Sequence, residues 1–199
     1  MDAFTFRSFS TPTARPEANP AALWSLQSEL MSYAVELFGP RNPDKTLYQP
    51  EFDPDGPHVR HRWNFDGAYA ELSDTSKSDW PCALYELAHE TVHLLDPRGI
   101  AGQASVPKAS FLEEALATAY SMHCCQLARL PFKPPSGNYN VAVSNAVRLG
   151  QDFFGICRRL RERCGHFSAA TAEDIIAVVP NCPRDVAELL ASPFPGRGY

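Results

Sequence analysis

A mostly helical α+β fold with a small sheet is what the sequence predicts, and three observations lead there. Apolar residues recur at helical spacing within capped segments near 19–40, 81–95 and 110–129. The stretch "HVRHRWNFDGAYAELS" alternates instead and is rich in β-formers. No apolar run approaches the ~20 residues needed to cross a bilayer. A chain of 199 residues, 44% apolar and 21% charged, is long enough for one domain with a buried core. Its net charge of −5 argues against nucleic acid or an anionic membrane as partner.

The elements follow in chain order. Residues 1–18 carry prolines, Ser and Thr without periodicity and read as an arm or a poorly ordered start; residues 19–199 read as a single domain. Asn19-Pro20 is a helix entry, an N-cap followed by proline in the first turn. Leu23, Leu26, Leu30, Tyr33 and Leu37 then form one stripe, stopped by Gly39-Pro40. The proline-rich residues 40–58 read as loop. Residues 58–73 predict two short strands joined near Asp66-Gly67. A helix opens near Pro81 and runs to about Leu95, ended by Asp96-Pro97 and Gly99. Residues 97–109 are a turn-rich connection. Ser110 opens the next helix, to Arg129, with Ser110 and Glu113 spaced as a capping box. A long helix is expected over 140–163, ending in the basic run "RRLRER", a solvated face set at the negative end of the helix dipole. Two short helices, about Ala172–Val179 and Pro183–Leu190, close the chain.

The start "MDAFTFRSFSTPTARPEANP" lacks a basic segment followed by an apolar one, so no secretory signal shows and the cytosol is the expected compartment. Cysteines at 82, 124, 125, 157, 164 and 182 form no Cys-x-x-Cys pair, and reduced, mostly buried thiols are expected.

Chemistry concentrates in "YELAHETVHLLDPRG". His89-Glu90-Thr91-Val92-His93 sits on a helix whose apolar face, Leu84, Leu87, Ala88, Val92 and Leu95, is legible without the motif. Four residues are just over one turn, so both imidazoles can reach one tetrahedral Zn²⁺ at ~2.0–2.1 Å. Glu90 points about 100° round the helix, aside from the metal but close enough to take a proton from a zinc-bound water. Two histidines need a third ligand. Cys82 shares their face, yet lies about 10.5 Å of helix from His89 and cannot share a metal with His93. In the metzincin pattern the run continues His-x-x-Gly-x-x-His; here those positions hold Asp96 and Gly99, with Gly102 beyond, and no histidine. Glu113 and Glu114, in "SFLEEALATAY", remain.

Here the chain resembles the gluzincins, the thermolysin-like peptidases and related zinc aminopeptidases. They carry His-Glu-x-x-His and, about twenty residues on, a helix opening with a Trp-Leu-Asn-Glu-Gly-like run. Phe111-Leu112-Glu113-Glu114-Ala115-Leu116-Ala117 looks like a variant of it, and the likeness spans Tyr85 to Tyr120. The resemblance implies a zincin-like core, with the metal held by His89, His93 and Glu114, and Glu113 at the family's asparagine position. The capping box agrees, because it occupies Glu113 and leaves Glu114 free. Glu113 stays open as ligand, since a one-residue change in the loop would exchange the two. On the same resemblance "GAYAELS" would be the edge strand that receives a peptide. Glu71 is a poor match for the glutamate with which some aminopeptidases bind an N-terminus.

The expected function is a zinc metallopeptidase, with one zinc per chain, Glu90 as general base and a peptide or protein as substrate. The alternative is a catalytically silent zincin-like domain acting as a protein-binding or regulatory module. No residue matches the family's oxyanion-stabilising group: Tyr120, His123, Tyr139 and His166 are conceivable, and each has an ordinary structural reading. Asp96 is a candidate to orient a ligand histidine, or else a plain loop residue.

Overall fold

The computed structural model describes residues 9–100 and 106–195. Gly102 and residues 1–8 of the expected arm lie outside them. The fold is α+β and mostly helical, with seven α-helices and a four-stranded sheet among the described residues. No described helix is long and apolar enough to cross a membrane.

Helix α1 (Pro20–Phe38) begins as the sequence implies: the Asn19 side chain accepts from the Ala22 N–H at 3.1 Å, and Gly39 ends the helix at φ 94°. Leu23, Leu26 and Leu30 are buried, but the stripe continues through Ala34 and Phe38 and leaves Tyr33 and Leu37 half-buried. Preceding it, residues 9–18 lie against the next long helix. Phe9 packs edge-on to Trp80, and the Trp80 indole donates to the Ala14 carbonyl at 2.8 Å.

The segment expected to be loop after α1 contributes two strands, β1 (Thr46–Leu47) and β2 (Glu51–Phe52). Two residues show no alternation, so sequence pattern cannot reveal them. Both run parallel to β4 (Gly67–Leu72), and β3 (His58–His61) pairs with β4 antiparallel, His61 opposite Ala68. A side chain at Gly67 would collide with the Thr46 carbonyl, so glycine is what lets β1 close on β4. All six β4 residues are buried, with strands on both sides. The "GAYAELS" strand is therefore central rather than an edge, which corrects the expectation; among the described strands β3 keeps an unpaired side.

Helix α2 (Trp80–Leu94) is capped by Asp79, whose side chain accepts from the Cys82 N–H at 3.2 Å. It packs between β4, α1 and α3 (Phe111–Ala128). That position explains why it is buried on nearly every side, Glu86, Thr91 and the motif residues included. Ser110 caps α3 by accepting from the Glu113 N–H at 3.2 Å. The reciprocal half of the box is missing: the Ser110 N–H donates to Ser168 Oγ at 2.7 Å, and Glu113 turns elsewhere.

The helix expected over 140–163 is two. Helix α4 (Gly137–Ala146) passes through a 3-10 turn at Val147–Leu149, and α5 (Phe153–Cys164) starts afresh. Gly150 at φ 132° breaks the chain, and Asp152 caps the new start through the Gly155 N–H at 3.1 Å. Both signals stand in "RLGQDFFG", where glycine permits the left-handed turn and Asp supplies the cap. Arg161 on α5 then donates to the carbonyls of Phe38, Gly39 and Pro40, satisfying the end of α1. Helices α6 (Ala172–Val178) and α7 (Arg184–Ala191) complete the fold. All six cysteines are free thiols, and Cys124, Cys125, Cys157 and Cys182 are buried.

Candidate metal centre

The antiparallel contact of α2 and α3 creates the site. Residues 89 and 93 face α3 from successive turns of α2, and the first turn of α3 brings its glutamates opposite them. His89 Nε2 lies 3.1 Å from Glu114 Oε2, and His93 Nε2 lies 3.7 Å from Glu114 Oε1. Donor atoms of His89, His93 and Glu114 all fall within 4.8 Å of one another, and this buried His-His-Glu group could hold a metal ion. The donor set is chemically suited to one: two imidazoles and a carboxylate converge, with no fourth protein ligand among the described residues.

The two glutamates are divided by geometry. Glu113 meets the opposite edge of the His93 ring, with Oε1 2.8 Å from Nδ1. That contact leaves Nε2 as the nitrogen facing Glu114 and fixes the plane of the ring. The Glu113 carboxylate is itself held from the other side, accepting from the Ser168 hydroxyl, with Arg98 and His166 each 3.8 Å away. Burial opposes its charge, but His93, His166 and Arg98 together hold its carboxyl down at about 2. For His93, burial likewise opposes the charge, and Glu114, Glu113 and Glu90 outweigh it, raising the imidazole to about 9. Glu113 is thus occupied, though by His93 and Ser168 rather than by the helix terminus.

Glu90 is 3% exposed, and burial pushes its carboxyl up, opposed by His89, His93 and His58. It borders, with His89, a cavity of about 310 Å³. Of the four residues considered as oxyanion partners, three are committed elsewhere. The Tyr120 hydroxyl donates to the Leu30 carbonyl inside the core, His123 pairs with the Tyr33 hydroxyl, and His166 sits behind Glu113. Tyr139, at the start of α4, is the one at the cavity: its ring stands edge-on to His89 with centroids 5.7 Å apart. Burial raises its phenol, and the Glu114 and Glu90 carboxylates raise it further.

Asp96 and Glu71 take the plainer of the readings the sequence offered. Asp96 accepts from the Asn42 amide at 2.8 Å and orients no ligand histidine; Glu113 does that for His93. Glu71 is engaged by His58 Nε2 at 2.7 Å and Arg60 Nε at 2.9 Å, so its carboxylate is not free to bind an N-terminus. Ser168 and Arg98 escaped the sequence reading altogether. Ser168 lies 55 residues beyond the glutamate it holds, and no spacing rule reaches that far. No protein-family model matches the chain, and no curated protein or solved structure does so.

Proposed function

We propose that this chain is a zinc metallopeptidase of the gluzincin type, built on a zincin-like core of α2, α3 and the sheet. The observation that carries the reading is the convergence of His89 Nε2, His93 Nε2 and the Glu114 carboxylate beside a cavity that Glu90 borders. Three protein donors with room for a fourth, non-protein ligand are the pattern of catalytic zinc, whereas structural zinc is usually closed by four ligands rich in cysteine. When bound, zinc would acidify a water and polarise the peptide carbonyl.

The remaining work falls to this chain's side chains. Glu90 takes the proton of the attacking water and passes it to the leaving amine nitrogen, a role favoured by burial, which raises its carboxyl. Tyr139 donates its phenolic proton as a hydrogen bond to the developing oxyanion. Glu113, anchored by Ser168, keeps the His93 ring in the orientation that presents Nε2. Purified protein is expected to carry about one zinc per chain and to cleave a mixed peptide pool. Activity should vanish with 1,10-phenanthroline and return with added zinc. Absence of zinc after metal-replete purification would sink this reading.

Replacing Tyr139 by Phe tests the oxyanion assignment. The ring keeps its contacts with His89 and Phe194, so binding should change little. Loss of the hydroxyl is expected to lower kcat about 10²–10³-fold, with KM nearly unchanged. An unaltered kcat would remove Tyr139 from the mechanism.

A further inference from the structure

One side chain ties the end of α2 to the start of α3. Leu94 is the last residue of α2, and Pro97 bars a further turn because it lacks the N–H that a helix would use. The next residue turns back: Arg98 Nη2 donates to the Pro107 carbonyl at 3.0 Å and to the Lys108 carbonyl at 2.8 Å. Those carbonyls stand just before Ser110, the cap of α3. Other segments hold this helix start as well. The Ala109 carbonyl accepts from the Phe194 N–H at 2.8 Å, and the Phe111 N–H donates to the Ser192 carbonyl at 3.0 Å. Arg98 differs from them in coming from the helix that carries the two histidines.

What the tie governs is the spacing of donors. His89 Nε2 and His93 Nε2 lie 3.1 and 3.7 Å from the Glu114 oxygens, close to the ~3.3 Å edge of a tetrahedron with bonds of ~2.0–2.1 Å. Glu114 stands in the first turn of α3, and a terminal turn is the part of a helix that opens first when its anchor is lost. Arg98 also answers a charge. Its Nη2 lies 3.8 Å from Glu113 Oε2, too long for a hydrogen bond but close enough for attraction. Glu113 is buried, and a buried carboxylate needs a cation beside it. A histidine that ligates a metal is neutral, whereas an arginine stays charged.

We propose that Arg98 is a positioning residue of the metal centre: by clasping the α2–α3 connection and facing Glu113, it sets the spacing of His93 and Glu114 and thereby the affinity for the ion. The inference rests on the metal-site part of the reading above and is independent of whether the bound ion hydrolyses peptides. Arginine suits the task because one planar group serves two carbonyls and keeps its charge toward a carboxylate.

The test compares zinc affinity by chelator competition, melting of the metal-free protein, and the visible spectrum of the cobalt-loaded protein, which reports coordination geometry. Arg98→Met keeps the stem and removes donors and charge. Zinc is expected to bind about 10- to 100-fold more weakly, with an altered cobalt spectrum at full occupancy. Arg98→Lys keeps the charge and should return to within about tenfold of wild type, with the wild-type spectrum. Wild-type affinity and spectrum in Arg98→Met overturn the inference, whatever happens to the melting temperature. So does Arg98→Lys binding no better than Arg98→Met. Should Arg98→Met not fold, Arg98→Gln, an amide without charge, takes its place with the same outcomes. Cleavage assays on the wild-type protein separate the two readings. Weakened zinc in Arg98→Met with no peptide cleaved by wild type keeps the clasp and removes the hydrolase. Cleavage by wild type with zinc affinity unmoved in Arg98→Met does the reverse, and no zinc in wild type removes both.

Discussion

Glu90→Gln is expected to lower kcat/KM for peptide hydrolysis roughly 10²–10⁴-fold, the usual contribution of a positioned general base, while zinc content stays unchanged. The substitution is nearly isosteric at a position only 3% exposed, so packing in α2 is preserved. Steady-state kinetics beside elemental analysis of the same preparation checks both halves. A variant that keeps its zinc and loses turnover is what proton transfer at Glu90 requires. One that retains activity within about threefold of wild type would reassign the chain to the alternative, a zincin-like domain acting through a bound partner.

The second large effect separates the two neighbouring glutamates. Glu114→Ala removes the carboxylate that faces both Nε2 atoms, and the purified protein is expected to lose its zinc. Glu113→Gln keeps an oxygen to accept from His93 Nδ1 and leaves the three donors in place. Zinc should therefore remain, held about 10- to 100-fold more weakly, as is typical when the partner of a ligand histidine is altered. Competition with a chromogenic chelator measures both. The opposite result, zinc kept by Glu114→Ala and lost by Glu113→Gln, would exchange the roles of the two residues.

These glutamates also show where legibility stops. Sequence spacing narrows the candidate third ligand to residues 113 and 114 and no further, because adjacent helical positions differ by 100° in direction but only about 1.5 Å in height. The capping argument reaches Glu114 through a bond that is only half present: Ser110 caps the Glu113 N–H, but the carboxylate leaves for His93. A buried imidazole is the stronger attractor, since the ion pair forms away from water while a helix terminus can be served by a neutral hydroxyl such as Ser168.

What the sequence determines by itself is local and periodic. The start and stop of α1, the face of α2, and the pairing of β3 with β4 depend on residues a few positions apart, and caps, prolines and alternation report them directly. The break at Gly150 belongs to the same class, written in plain signals that a long helical pattern overrides. Only the tertiary structure decides the rest. Strands β1 and β2 exist because β4 offers them hydrogen bonds, which also makes β4 the centre of the sheet. Tyr139 reaches His89, and Ser168 reaches Glu113, because α4 and the 3-10 turn at Phe167–Ala169 both pack on α3. Such contacts depend on where whole elements dock, a free-energy balance over the entire core, and no window of neighbouring residues contains it.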